Sequence, residues 1–219
     1  MIDPGTPLCD PTDMVVVHRV FRREFALLPR MVRATPSGDV ARSGEVANHA
    51  RELLDALHHH HHGEDDLLWP NLIQRIDEER SAVERMEQQH ERVALLIEKS
   101  DVLLPPWRTS AKNGEELSVV LSELSTQLNA HLAEEESIVL PLIKWTITQD
   151  EWAQLGKRGM ASIPPKRRLV FLGHILEEAS PQERALFLRH VPAPARLAFR
   201  LFGAKQHRSE IARLRGPLG

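Results

Sequence analysis

Residues 60–70, HHHGEDDLLWP, and residues 131–141, HLAEEESIVLP, share one pattern: a His, a Glu four positions on, an apolar residue three positions later and a closing Pro. His60 with Glu64 and His131 with Glu135 therefore repeat at an offset of 71. Residues four apart lie on one face of an α-helix, so each pair can aim an imidazole and a carboxylate at the same point. A further His precedes each pair, His18 by 42 positions and His90 by 41, so the repeat extends over whole helix pairs. This pattern predicts a four-helix bundle with a metal site in its core.

The surrounding sequence is helical in texture. There is no Tyr, alternating β-branched runs are few, and apolar residues recur at three and four. A first helix is expected after Pro11, with Thr12 or Asp13 as its cap and an apolar stripe of Met14, Val17, Val20, Phe21, Phe25 and Leu28 that includes His18. After the TPSG break at 35–38, Ser37 or Asp39 can cap a second helix, which runs into the His run until Pro70 bends or ends it. A third is expected from Ser81, where Ser81 and Glu84 have capping-box spacing, to a point before Pro105 and Pro106. The fourth follows the Lys112-Asn113-Gly114 turn and ends near Pro141. The expected divisions are a flexible leader over 1–11, the bundle over 12–146 and a basic helical extension over 147–219.

Five His are consecutive, His58 to His62, and their position within a helical period sets them apart from a terminal affinity tag. Successive helical residues are about 100° apart, so only part of the run can face inward. His60 is placed by its alignment with His131, and His61 can reach the same site from beside it. His58, His59 and His62 are expected to point outward or to back the ligands from behind. An ionised Glu is costly to bury in an apolar core without a partner, yet Glu64 and Glu135 occupy matched inward positions. A metal removes that cost, and mixed His and carboxylate ligation without Cys favours iron or manganese over structural zinc. Carboxylates able to bridge within a bundle favour two metals over one.

With a His on the first and third helices, and His-x-x-x-Glu ahead of LLWP and IVLP on the second and fourth, the chain resembles the hemerythrin family in its bacterial HHE cation-binding form. The likeness covers roughly residues 12–146. It implies an all-α, up-down-up-down bundle around a non-haem centre of two Fe ions, bridged by the two carboxylates and an oxo or hydroxo group. Carried over by position, His18, His60, Glu64, His90, His131 and Glu135 are the implied ligands. The oxygen carriers of the family have a second His on the third helix, four residues before the first, where this chain has Met86. His61, Glu87 or water can fill that place, and relatives with a ligand directly after the second-helix His favour His61. The absence of Tyr excludes the tyrosine ligand of certain hemerythrin-like groups.

The resemblance implies binding of O2, NO or peroxide. A ligand gap and a nearby His cluster able to relay protons tilt the expectation toward redox chemistry or sensing rather than bulk oxygen carriage. A di-iron oxidoreductase or peroxidase-like enzyme and an iron-holding or regulatory module are the alternatives. Whether the chain is an enzyme stays open.

Composition bounds the rest. The chain has 219 residues, 42% hydrophobic and 27% charged, enough for a sizeable core. No apolar run approaches the length of a membrane span, the MIDPGTPLCD start lacks a signal-peptide layout, and a cytoplasmic location is expected. Cys9 reads as an incidental residue of the leader. Residues 157–219 carry 13 Lys or Arg against 4 Asp or Glu, so this segment is basic and the rest acidic. The basic charges are interleaved with Leu, Phe and Ala, which points to docking on the acidic bundle rather than to nucleic acid or stable membrane insertion. In that segment Trp152, Leu155, Leu169, Phe171, Leu172, Ile175, Leu176, Leu186, Phe187, Leu197, Phe199 and Phe202 are expected to form a packing surface. The oligomeric state is not legible.

Overall fold

The computed structural model describes residues 5–76 and 80–218. Among them the chain is helical throughout, and its one extended pairing is an isolated bridge between Leu8 and Thr148. Four long helices dominate: α1 (Thr12–Arg33), α2 (Val40–Gly63), α4 (Arg80–Ser110) and α5 (Gly114–Glu134). α1 packs on α5 and α2, and α4 packs on α5 and α2, so the four close a ring around a common core. Short helices α3 (Trp69–Ile73) and α6 (Leu140–Thr146) extend α2 and α5. The extension contributes α7 (Gln149–Ser162), α8 (Arg168–Leu176), α9 (Pro181–Arg189), α10 (Ala193–Ala198) and α11 (Ala204–Arg215). No described helix is long and apolar enough to cross a membrane.

Local chemistry explains the helix ends. The Asp10 carboxylate accepts from the Thr12 backbone N–H and hydroxyl, so α1 is helical from Thr12 onward and its expected cap is already its first residue. Asp39 caps α2 by accepting from the Arg42 N–H, as its position predicts. Asn113 takes the left-handed conformation (φ 56°) that a tight turn into α5 requires, and Asn tolerates it better than most residues. Thr148 with Glu151 and Ser180 with Glu183 form the two expected capping boxes. Ser81 is already helical rather than the cap of α4.

One boundary differs from expectation. α4 continues through Pro105 and Pro106 to Ser110. Proline leaves a carbonyl four residues back without its donor, but the affected turn around Val102 is open to water. Continuing the helix also buries Leu104 and Trp107 in the core, and that packing decides the outcome.

The core is divided. One apolar cluster contains Phe21, Phe25, Leu57, Val93, Leu128 and Leu132, and a second contains Met14, Leu68, Trp69, Met86, Val139 and Trp152. On each long helix a histidine lies between the two: His18 between Met14 and Phe21, His60 between Leu57 and Leu68, His90 between Met86 and Val93, His131 between Leu128 and Val139. A polar layer is thus sealed on both sides by hydrocarbon.

Residues 7–9, ahead of α1, are held against residues 147–149, where a flexible leader is expected over 1–11, of which residues 1–4 lie outside the described residues. The Cys9 N–H donates to the Ile147 carbonyl at 3.0 Å, the Gln149 N–H donates to the Pro7 carbonyl, and Cys9 is buried in the second cluster. The extension touches the bundle through Arg167 with Glu52, Arg158 with Asp66 and Arg215 with Glu24. The Trp152 Nε1–H also donates to Asp13 at 3.1 Å. Trp152, Leu172 and Leu176 are buried as expected of a packing surface, but Leu197 and Phe202 are not. They sit on the outer side of α10 and the turn after it, at 55% and 67% exposure.

Candidate metal centre

The two Glu of the repeat each begin a widened turn. α2 passes into a π-helical turn at Glu64–Leu68 and α5 into another at Glu135–Val139. Within them the Trp69 N–H donates to the Glu64 carbonyl and the Leu140 N–H to the Glu135 carbonyl, five residues back. The closing prolines account for this. Pro70 and Pro141 cannot donate, and in a regular helix their rings would crowd the carbonyl four residues earlier, a clash that the wider turn relieves. The same Pro that marks the motif in sequence therefore sets the backbone that presents each Glu.

The side chains converge in two groups. His18 Nε2 and His60 Nε2 are 3.3 Å apart, and His90 Nε2 and His131 Nε2 are 3.2 Å apart. Glu64 reaches both groups, with Oε1 3.2 Å from His60 and Oε2 3.6 Å from His90. Glu135 Oε2 does the same, 3.4 Å from His18 and 3.7 Å from His131. His61 joins the second group: its ring stacks on His90 at 4.0 Å between centroids and stands edge-on to His131 at 5.0 Å. Ligand atoms of His61, His90 and His131 lie within 4.8 Å of one another, as do those of His18, His60 and Glu64.

All seven residues read from the sequence are thus brought to one place. Of the alternatives at the Met86 position, Glu87 is exposed on the outer face of α4 and takes no part. Met86 is fully buried in the second apolar cluster, and His61 stands over His90 in its stead. His58, His59 and His62 point away from the site, as helix geometry requires.

Left to themselves, these groups are electrostatically unfavourable. Both carboxylate oxygens of Glu64, both of Glu135 and the His61 Nε2 are buried without a hydrogen-bond partner, although imidazoles lie 3.2–3.7 Å from the carboxylates. The Nε2 atoms of His18 and His60 face each other instead, as do those of His90 and His131. Burial, and then the neighbouring Glu135 and Asp65, hold the Glu64 carboxyl well above the usual range, and burial likewise raises Glu135. Burial pushes His60 and His61 well below the ordinary imidazole range, and His131 down to about 2. Four carboxylate oxygens and one imidazole nitrogen left without partners in a single buried layer fit metal cations, which neutralise carboxylates and take neutral imidazoles.

The outer nitrogens of three rings are anchored. His90 Nδ1 lies 2.7 Å from Asp65, His18 Nδ1 3.0 Å from Glu136, and His131 Nδ1 3.0 Å from the Gln89 side-chain oxygen. Glu136 also accepts from Arg22 at 2.6 Å, and these two contacts outweigh its burial to hold its carboxyl down at about 2. Such partners fix tautomer and ring orientation. Asp65 and Glu136 are one residue beyond the two Glu and obey the same offset of 71, a signal present in the sequence but not drawn from it. Each braces a His on another long helix, which gives the site an approximate twofold plan.

A cleft of about 160 Å³ opens beside the second group, lined by His58, His61, His62, Asp65, His90 and Glu91 among others. On the other side, the Phe21 ring lies 5.1 Å from His60. One end of the site faces a polar mouth and the other an aromatic wall.

A family model for the hemerythrin HHE cation-binding domain matches residues 11–143. No curated protein and no solved structure matches the chain.

Proposed function

Since the chain belongs to the hemerythrin HHE cation-binding family, we propose that it holds two non-haem iron ions and binds a small oxidant, O2, NO or peroxide, in a redox or sensing role. His18 and His60 serve one ion, His61, His90 and His131 the other, and Glu64 and Glu135 bridge them. The up-down-up-down bundle belongs to the same reading and is supported by the ring of contacts among α1, α2, α4 and α5. The observation that carries the proposal is the set of four carboxylate oxygens buried without partners between five imidazoles.

Iron bound there supplies electrons to, or takes them from, a small ligand that reaches it. The protein's own groups do the rest. Glu64 and Glu135 compensate the cations, while Asp65, Gln89 and Glu136 hold three imidazoles as acceptors toward the interior. The two apolar clusters keep bulk water out of the layer. His18 and His60 form the group with one imidazole fewer, and a small ligand would be received on their side, beside the Phe21 ring.

A second reading is a peroxide-consuming enzyme, favoured by the polar mouth. His58 and His62 stand at its rim, where burial and His62 lower the His58 imidazole and give it a neutral form able to take up and pass on a proton. Iron-loaded protein separates the two readings. A reversible spectral change on cycling O2 without net consumption supports the binding protein, and multiple-turnover loss of peroxide with a reductant supports the enzyme. A spectrum indifferent to O2, NO and peroxide contradicts both.

A further inference from the structure

A second histidine cluster lies at the seam between bundle and extension. His49 on α2, His174 on α8 and His207 on α11 are 5%, 2% and 6% exposed. The His174 ring centroid is 5.7 Å from that of His49 and 4.7 Å from that of His207. Ligand atoms of His49, His174 and Glu210 lie within 4.8 Å of one another, and so do those of His174, Glu177 and His207.

His49 Nε2 is paired with Glu24 Oε2 at 3.2 Å, whereas the other two rings each have a buried nitrogen with no hydrogen-bond partner, His174 Nδ1 and His207 Nε2. His174 Nδ1 is 3.3 Å from Glu24 Oε1 but out of line for a hydrogen bond, and that oxygen already accepts from Arg23 and Arg215. His207 Nε2 is 3.7 Å from Glu177, also too far for one. A buried polar group left unpaired is destabilising, and a bound cation relieves it. The close approach is built in: a Cβ at Gly173 would fall 2.3 Å from His207 Cγ, so only glycine lets α11 seat this imidazole against α8.

The charge balance leaves room for a cation. Around the cluster, the carboxylates of Glu24, Glu52, Glu177, Glu178 and Glu210 pair with only three guanidiniums, Arg23, Arg167 and Arg215. The carboxylates outnumber the guanidiniums that reach them. Imidazoles with a carboxylate and no thiolate suit a borderline cation such as Zn²⁺.

We propose that His174 and His207, with Glu177, bind a divalent transition-metal ion of the zinc class that clamps α11 to α8 beside α2. The two histidines lie 33 positions apart on different helices, so the ion ties two helices of the extension together where they meet the bundle.

The test uses the iron-loaded full chain dialysed against micromolar Zn²⁺, with both metals counted per chain. The expected result is one zinc beyond the iron with the iron spectrum unchanged. His174→Ala and His207→Gln lose that zinc, with affinity down at least about a hundredfold. Glu135→Ala, altered at the other site, keeps the zinc, so failure of iron loading and failure of this proposal read differently. Circular dichroism establishes that each variant folds, and His207→Gln, on the outer helix, serves should His174→Ala not. Equal zinc in wild type and both histidine variants, or zinc gained only as iron is lost, overturns the proposal.

Discussion

The His61 imidazole lies parallel to that of His90, 4.0 Å between centroids and 9° between planes, over the place a second helix-α4 histidine would serve. Met86, one turn before His90 on the same face, is packed in hydrocarbon instead. In the proposed ligand set His61 on α2, one residue beyond the repeat, serves in place of a second α4 histidine.

This makes a prediction by rescue. His61→Ala should lower iron content toward one ion per chain, and Met86→His in that background should restore it, because positions 86 and 90 share one helix face. Iron measured per folded chain decides the matter. Unchanged iron in His61→Ala removes this residue from the ligand set.

Asp65 and Glu136 should act through the imidazoles they hold. Asp65→Asn and Glu136→Gln keep the shape but remove the charge, so iron affinity is expected to fall about 10–100-fold with the helical circular dichroism intact. Competition with a chelator of known affinity measures it. Affinity equal to wild type in both variants shows that ring orientation is set by packing alone.

Metal loading should release protons. In the metal-free chain His60, His61 and His131 are held below their unfolded value, so the unfolded state takes up protons first and stability falls as pH drops below about 6.5. Glu64 and Glu135 are raised, so their contribution is present below the unfolded carboxyl value and is lost as pH rises above about 4.5. At pH 7 these three imidazoles are already neutral, and Fe²⁺ binding should expel the protons that the raised carboxyls, Glu64 foremost, still hold. Calorimetry in two buffers of different ionisation heat counts them. Iron binding without proton release means that Glu64 and Glu135 are already ionised in the metal-free chain, against the prediction.

Cys9 should be inert in the folded chain. Burial, aided by Asp13, Asp10 and Glu151, pushes its thiol up to about 11. At pH 8 roughly one molecule in a thousand is then thiolate, the reactive form, and the sulfur is also shielded. A disulfide reagent should label it slowly in buffer and rapidly in denaturant. Equal rates in the two show that residues 7–9 do not stay docked against residues 147–149.

The site was more legible in the sequence than the margins of the fold were. Helical period alone places His60 with Glu64 and His131 with Glu135, because four residues make nearly one turn. The same repeat contains Asp65 and Glu136, but an acid beside an acid reads as a solvated face until the structure shows each against a histidine of another helix. The ends of elements depend on distant partners. Trp107 carries α4 through two prolines, and Ile147 captures the Cys9 backbone. Leu197 and Phe202 share the helical spacing of their buried neighbours but face outward, since spacing defines a stripe and not what covers it. His49, His174 and His207 have no common spacing at all, and only the packing of α2, α8 and α11 brings them together.

Everything proposed for the centre depends on two irons held between Glu64 and Glu135. The decisive measurement is the metal content and visible spectrum of the oxidised, iron-loaded protein, with Glu135→Ala alongside. Two irons per wild-type chain with a ligand-to-metal charge-transfer band are expected, and the variant should lose the band and most of its iron. One iron or none in the folded wild type, or an iron content and spectrum that survive Glu135→Ala, contradicts the assignment.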